Sequence, residues 1–598
     1  MRISRRTAAI LLVVVFVVAF VLRAYHPVSR PLHWFTWTKI FNRAIDEQNW
    51  AATNQSSIPG FTGMVISGLT LRLYDVLNGT VAEPVMSWAF PPYATGFGKR
   101  IMAGIMGLAL AISGLIVAVT VLLRKLADWR VALAAAGLLT FSPFFLAQSR
   151  AYNQDALLGA LMVVSALLVL VSLESGKRGY LVLSGFVAGL AFLSKMSGVF
   201  MVPYAGLVLL VYLVVGLRAE WSAHRQGRAR WLAGEIWRGL VGPYLLWLLG
   251  LAAAFALWPA MWVEPRVIVA EILERLTGHL GEAHEGRFLL GRVYDEMRPP
   301  VLFYPLTFAF NSSFVTLTLA FVALGQYTLW REQITLPLKP LIFWLLVAYV
   351  LFFTIQMLIG SDQDARYIFP AYLMLEVLAA IGLVGVIELV QQATKGRESD
   401  WLRAFPAAMV ALAVGMQALI ALPFAPNYGA HHNQLLGGNR VAVKVVEIIG
   451  QNEGLNYVSD YLSQQPESKK LQIGAKKSLN KTLRQYFGGK TSQRWSNKDD
   501  YNLISVRDLQ REPDYWAEKQ AVYEGSTPQL LVIIDGVPYM WLYARNPPTP
   551  FEPVVIRRGG GVGFIVLAWV WTVALVSTVV WALRHTAKLG EEGRLVGR

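Results

Sequence analysis

The sequence predicts a polytopic all-α membrane protein, about 12 transmembrane helices with a small α/β domain before the last of them. Three observations carry that fold class. About a dozen runs of 17 or more mostly apolar residues punctuate the 598-residue chain, and a helix of about 20 residues crosses a hydrocarbon core. The composition is 55% hydrophobic and only 15% charged, with a mean hydropathy of +0.45, more apolar surface than a water-soluble core can bury. Arg and Lys crowd into alternate gaps between the runs, the asymmetry that orients membrane proteins.

The first run, 8–24, follows Met1-Arg-Ile-Ser-Arg-Arg and ends at Leu22-Arg23-Ala24-Tyr25 without a small-x-small cleavage pattern. It reads as an uncleaved first span. Further spans are expected near 101–123, 131–147, 155–173, 179–197, 199–217, 239–258, 303–326, 341–359, 369–391, 404–422 and 561–583. With both termini cytoplasmic, Arg124, Lys125, Arg130, Lys177, Arg178, the Arg218–Arg238 loop, Lys395, Arg397, Arg403 and the Arg584–Arg598 tail all fall on the cytoplasmic side, as the positive-inside rule requires. The net charge of +16 then serves orientation and anionic lipid headgroups, and nucleic acid is excluded as a partner. There is no cysteine, hence no disulfide or thiolate metal site.

That topology leaves residues 25–100, 148–154, 259–302 and 423–560 outside. The first segment is rich in Trp, Phe and Pro and reads as short amphipathic helices along the membrane surface. The last is polar until the β-like run Gln529–Tyr543, built around Asp535-Gly536. The chain therefore divides into a membrane module 1–422 with outer loops 25–100 and 259–302, an outer α/β domain 423–560, and a final helix with its tail, 561–598. The runs show no internal repeat, which argues against an inverted-repeat transporter.

Few ionisable residues interrupt the spans, so the relay chain through the bilayer that marks a pump is not visible in the sequence. The candidates for chemistry cluster outside: Asp46 and Glu47, Arg150 and Asp155, Lys195, Glu264, His279 and His284, Asp295 and Glu296, and Asp362, Asp364 and Arg366. Carboxylates and cations at one membrane face suit a reaction between a lipid-phosphate donor and an external acceptor. An Asp would act as base while Arg or Lys holds the leaving phosphate. Each residue taken alone also reads as an interfacial ion pair. A divalent metal is compatible with Asp46, Asp155 or Asp295, because hard cations take oxygen ligands, but no metal-binding spacing is present and no cofactor is assigned.

The turn Ser142-Pro-Phe-Phe-Leu-Ala-Gln-Ser-Arg150-Ala-Tyr-Asn-Gln-Asp155-Ala-Leu-Leu resembles the second outer loop of the GT-C superfamily, in its protein O-mannosyltransferase-like group. Gly189-Leu-Ala-Phe-Leu-Ser-Lys195, Leu257-Trp-Pro-Ala-Met-Trp-Val-Glu-Pro265, Phe303-Tyr-Pro305, Asp364-Ala-Arg-Tyr-Ile-Phe-Pro370 and Asn433-Gln-Leu-Leu-Gly-Gly438 support it in the same order along the chain. The resemblance implies a polyprenyl-phosphate-sugar-dependent glycosyltransferase of the bacterial plasma membrane, acting on an extracytoplasmic protein or glycan. In that family Arg150 would bind the donor phosphate, with Lys195 and Arg366 as further phosphate ligands, and Asp155 would support the first loop or a metal.

The first loop departs from the family. Leu32-His-Trp34, Phe41-Asn-Arg-Ala44-Ile45, Trp50-Ala-Ala-Thr53 and Ile58-Pro-Gly-Phe-Thr62 align with its pattern, but Arg30 and Pro31 occupy the Asp-Glu positions and Ile58 replaces a His. A guanidinium cannot take an acceptor proton. Two unit charges ~4 Å apart interact by about 4 kcal/mol at an effective dielectric of about 20, so the reversed sign costs an attraction and adds a repulsion. Two readings stand. Asp46 and Glu47 supply the carboxylate by a shifted register, beside Asp155; or the chain is a degenerate GT-C scaffold serving partner membrane subunits, its cavity lined by Arg30, His33, Ile58 and Asp364.

Overall fold

The computed structural model describes the chain except residues 1–2, 28–31, 56–58, 81–86, 223–227, 279–286, 295–298, 361–362, 396–399, 449–451, 494–497, 515–516, 519–525, 547–551 and 597–598. Its membrane part opens with α1 (Arg5–Ala24), α2 (Leu32–Asp46), α3 (Phe61–Thr80) and α4 (Gly96–Leu126). It continues through α5 (Trp129–Phe141), α6 (Pro143–Ser149), α7 (Asp155–Ser175), α8 (Gly179–Ser194), α9 (Met201–Glu220), α10 (Arg228–Ile236) and α11 (Gly242–Phe255). Among the described residues nine helices are long and apolar enough to span a membrane, and two bent pairs raise that to eleven. The sixteen-residue α8 occupies the remaining expected span.

Burial separates core from lipid-facing helices. The spanning windows of α7 and of helix Phe369–Ala393 are each 94% buried, whereas those of α1, Arg228–Phe255 and the last helix are 17–22% buried. Helices that are apolar all round can only be central or lipid-bathed, and both kinds are present. Val13, Val14 and Val17 of α1, and Val566, Val570 and Val573 of Val562–Val596, stay exposed.

The two bends were not expected from the apolar runs. α5 and α6 meet at 60°, at Ser142-Pro143, and Phe303–Asn311 meets Phe314–Thr328 at 115°. Ser313 caps the second of these helices, its hydroxyl accepting from the Thr316 amide at 3.0 Å. The Thr316 hydroxyl in turn donates to Glu376 at 2.8 Å, and the Ser313 hydroxyl to Gln417 at 2.7 Å. A broken backbone at membrane depth needs such internal partners.

α8 and α11 cross closely because their facing residues are small. A Cβ on Gly185 would stand 1.8 Å from the Trp247 carbonyl oxygen, and one on Gly250 would stand 2.0 Å from that of Val182. Small residues let membrane helices approach backbone to backbone. The Trp247 indole then reaches the Ser184 hydroxyl at 3.0 Å. Gly185→Leu should therefore force the helices apart and destabilise the protein by about 1–3 kcal/mol, read as a lower unfolding midpoint in detergent. Gly179→Ala, where a Cβ meets nothing within 4 Å, should leave it unchanged.

Beyond the bundle, six strands pair in the order β4-β3-β5-β7-β6-β8: β3 (Gln472–Ala475), β4 (Lys490–Ser492), β5 (Tyr501–Ser505), β6 (Leu530–Ile534), β7 (Val537–Ala544) and β8 (Val554–Arg558). The expected Asp-Gly turn is there. Asp535 (φ 49°) and Gly536 (φ 80°) join the antiparallel β6 and β7, the positive φ at both positions that a tight hairpin turn requires. A separate hairpin, β1 (Arg287–Leu289) and β2 (Arg292–Tyr294), lies in the 259–302 loop. The sheet sits at the bundle end that carries the end of α1, the start of α4 and the α6–α7 turn: Thr95 N–H donates to the Gln485 carbonyl at 3.0 Å and the Tyr486 hydroxyl to that of Pro27 at 3.0 Å.

Candidate functional site

Asp155 opens α7, where a carboxylate is favoured by the unpaired amides of a helix N-terminus. The Asn153 side-chain oxygen accepts from its backbone N–H at 2.8 Å and holds the turn. Lys195 ends α8, and its Nζ lies 2.6 Å from Asp155 Oδ1 and 4.6 Å from the centre of the Tyr367 ring. Arg366 approaches Asp155 Oδ2 at 3.7 Å while gripping Asp364 with two N–H groups, at 3.2 and 2.8 Å. Asp155 and Asp364 are buried, but the side chains of Lys195 and Arg366 remain 22% and 27% exposed. Cations that keep an open side beside buried carboxylates can take up a further anion.

The cluster continues toward the sheet. Arg287, on β1, shares Asp364 Oδ2 at 3.1 Å and points its Nη1 at Glu447 Oε2, 3.9 Å away. Glu447 also accepts from Arg507 at 3.1 Å and from Arg511 at 2.7 Å. Burial alone would raise the Asp364 carboxyl, yet Arg366 and Arg287 hold it well below its usual range. Glu447 is likewise held down, its burial outweighed by Arg507, Arg511 and Arg287.

His33, on α2, belongs to the same neighbourhood. The residue keeps an exposed face, yet partial burial, then the nearby Lys481, Arg366 and Lys195 charges, push its imidazole down, so it is neutral at physiological pH. Its ring packs against Trp34 and Trp37 at 5.2 and 4.7 Å between centroids.

Arg150 does something the turn did not reveal. Its guanidinium is buried and donates to the carbonyls of Leu22 (3.4 Å), Tyr25 (2.7 Å) and His26 (2.6 Å), at and just past the end of α1. Those carbonyls have no partner within the helix and carry the negative end of its dipole. Arg150 also lies 4.9 Å from the centre of the Tyr428 ring. It thus ties the first span to the start of the first loop and to the chain beyond the bundle.

Asp46 and Glu47 are exposed at the far end of α2. Asp46 pairs with Arg72 at 2.7 Å, 62% and 41% exposed, a geometry that contributes little stability. At 1.5 Å per residue it lies about 20 Å along the helix from His33. The structure brings Asp155, Lys195, Arg366 and Asp364 together, sets His33 within electrostatic range of Lys195 and Arg366, and leaves Asp46 and Glu47 apart from them. Glu264 is exposed at the end of a short helical turn. Arg30, Ile58, His279, His284, Asp295, Glu296 and Asp362 lie outside the described residues.

Arg287, Glu447, Arg507 and Arg511 were not anticipated. They stand singly in polar stretches up to 224 positions apart, and the one local signal is the alternation of Arg287-Phe-Leu around the Gly291 turn. Among the described residues no three His, Asp or Glu side chains converge as metal ligands. The oxygens of Asp155 are taken up by cations, a donor set that does not fit a divalent ion.

Residues 82–258, which include the Ser142–Leu158 turn and Lys195, match the family described as dolichyl-phosphate-mannose-protein mannosyltransferase. The resemblance read from the residues is borne out there. No curated protein matches the chain by sequence. Among solved structures, the chain is similar to ArnT from Cupriavidus metallidurans bound to undecaprenyl phosphate, with 15% identity over 91% of this chain and 99% of that one and a TM-score of 0.43. It is also similar to the oligosaccharyltransferase AglB from Archaeoglobus fulgidus in complex with an inhibitory peptide and a dolichol-phosphate, with 12% identity over 86% of this chain and 72% of that one and a TM-score of 0.42.

Proposed function

We propose that this integral membrane protein transfers a sugar from a polyprenyl-phosphate donor to an extracytoplasmic protein or glycan, with Lys195 and Arg366 receiving the donor phosphate and Asp155 acting as base. The observation that carries the reading is the convergence of two part-exposed cations on one buried carboxylate, two of the three residues lying in the segment that matches the mannosyltransferase family. An acceptor hydroxyl attacks the anomeric carbon. The bond from that carbon to the phosphate oxygen breaks with its electron pair going to the phosphate, and the hydroxyl proton passes to Asp155. Protonation removes the counter-ion of Lys195 and one of the two carboxylates facing Arg366, which stays paired with Asp364, as charge grows on the leaving phosphate, so proton uptake and leaving-group stabilisation reinforce one another.

The reading puts the sheet outside the cell and both termini inside. It is supported by Arg124, Lys125, Lys177 and Arg178, which lie at the ends of α4 and α7 remote from the sheet. A second reading, a degenerate scaffold for partner membrane subunits, is favoured by the position of Asp46 and by the ion pairing of Asp155, Asp364 and Glu447.

The test is transfer by the purified, reconstituted protein from a radiolabelled polyprenyl-phosphate sugar to a membrane-derived acceptor fraction. The wild type should transfer, and Lys195→Gln should raise the donor KM by about tenfold or more, the loss of one charge-assisted contact. A wild type that binds donor without transfer and copurifies with other membrane proteins would support the scaffold.

A further inference from the structure

We infer that Glu447, beyond the membrane module, is a positioning residue that sets Arg366 beside Asp155; its functional meaning rests on the donor site proposed above. Glu447 is 2% exposed and gathers three guanidiniums, those of Arg287, Arg507 and Arg511. Arg287 is the connecting piece. One end of its guanidinium faces Glu447, and the same Nη1 holds the Asp364 oxygen that Arg366 Nη2 also grips. Arg366 then extends its other nitrogen toward Asp155.

The backbone around Glu447 is fixed accordingly. Leu290 N–H donates to the Val445 carbonyl at 2.8 Å, and Leu289 pairs with Val446, which seats the β1–β2 hairpin against this segment. From the other side Gln510 clamps it, with Oε1 accepting from Ile448 N–H at 2.8 Å and Nε2 donating to the Val443 carbonyl at 2.8 Å and to that of Val446 at 3.1 Å. Gln510 lies on the helix Val506–Arg511, which also carries both arginines and is capped by a reciprocal Ser505–Asp508 pair. A side chain so held transmits its position rather than relaxing. Removing its charge takes away the anion that the part-exposed Arg507 and Arg511 share with the buried Arg287, and Arg287 must then share Asp364 differently with Arg366.

Two readouts test this. The first is binding of a polyprenyl phosphate to the reconstituted full chain. Glu447→Gln should weaken it about tenfold, and Glu447→Asp, which keeps the charge but moves it by one methylene, by about threefold with an unfolding midpoint near that of the wild type. The second needs no donor: a double-mutant cycle on the unfolding midpoint between Glu447→Asp and Asp155→Asn, expected to be non-additive although the two residues share no contact. Additive midpoints, or unchanged donor binding by folded Glu447→Asp, would overturn the inference. If the wild type itself binds no polyprenyl phosphate, the donor reading fails, and the cycle alone decides whether Glu447 positions Arg366.

Discussion

Asp155→Asn is expected to lower the rate of sugar transfer by about 10²- to 10⁴-fold, the range over which a positioned general base contributes, while donor affinity is retained or improved. The two effects have one origin. In the resting protein Lys195 lies 2.6 Å from Asp155 and Arg366 approaches its other oxygen, so the carboxylate competes with any incoming phosphate for both cations. An amide of the same shape cannot accept the acceptor proton and no longer neutralises Lys195, while Arg366 keeps Asp364. A falling kcat with an unchanged or lower donor Kd separates loss of a base from loss of a binding group. Asp46→Asn removes only a half-exposed pair with Arg72 and should leave transfer within about twofold of the wild type, with a stability change of less than about 1 kcal/mol. Equal losses for Asp46→Asn and Asp155→Asn would return the base to the shifted register of the first loop.

The largest effect on stability is expected at Asp364. Its carboxylate joins Arg366 to Arg287, whose side chain is 5% exposed, so Asp364→Ala takes from a buried guanidinium the carboxylate it holds at 3.1 Å. Breaking a buried pair in this way costs about 3–5 kcal/mol, measured as a lower denaturation midpoint in detergent micelles. The same chemistry sets a pH dependence. The folded-state pKa values of Asp364 and Glu447 are depressed, so both stay ionised in the folded protein where the unfolded chain already binds protons. Their contribution is complete above the ordinary carboxylate range and is lost as pH falls through and below about 4.5. Wild-type stability should decline steeply there, and that of Asp364→Asn more gently.

How far the fold was legible depended on whether a signal was local. Each spanning helix is its own hydrophobic run, so the polytopic fold and the place of each run could be read directly, although of about 12 expected spans nine helices, or eleven with the bent pairs, are long and apolar enough among the described residues. The Asp535-Gly536 hairpin was equally readable, because the turn and the flanking alternation lie within fifteen residues. The two bends were not, since a run's hydropathy is blind to its axis; the Ser142-Pro143 step and the Asn311-Ser312-Ser313 cap were the available signs.

At the site, Asp155, Lys195, Asp364 and Arg366 could be named because each lies in a short motif. Their connection to Glu447 could not, because it depends on a hairpin, a loop and a helix meeting in space. The resemblance gives Arg150 the donor phosphate. The carbonyls that take it up are 124 to 128 positions away, and no spacing rule reports them.

Lys195 and Arg366 are the donor phosphate site in the function proposed here. The most direct measurement is a cryo-electron microscopy map of the reconstituted protein with a polyprenyl phosphate bound. Phosphate density is expected within hydrogen-bonding distance of Lys195 Nζ and the Arg366 guanidinium, on the open side away from Asp155. Phosphate density elsewhere, beside Arg72 and Asp46 for example, with Lys195 still closed on Asp155, would contradict it.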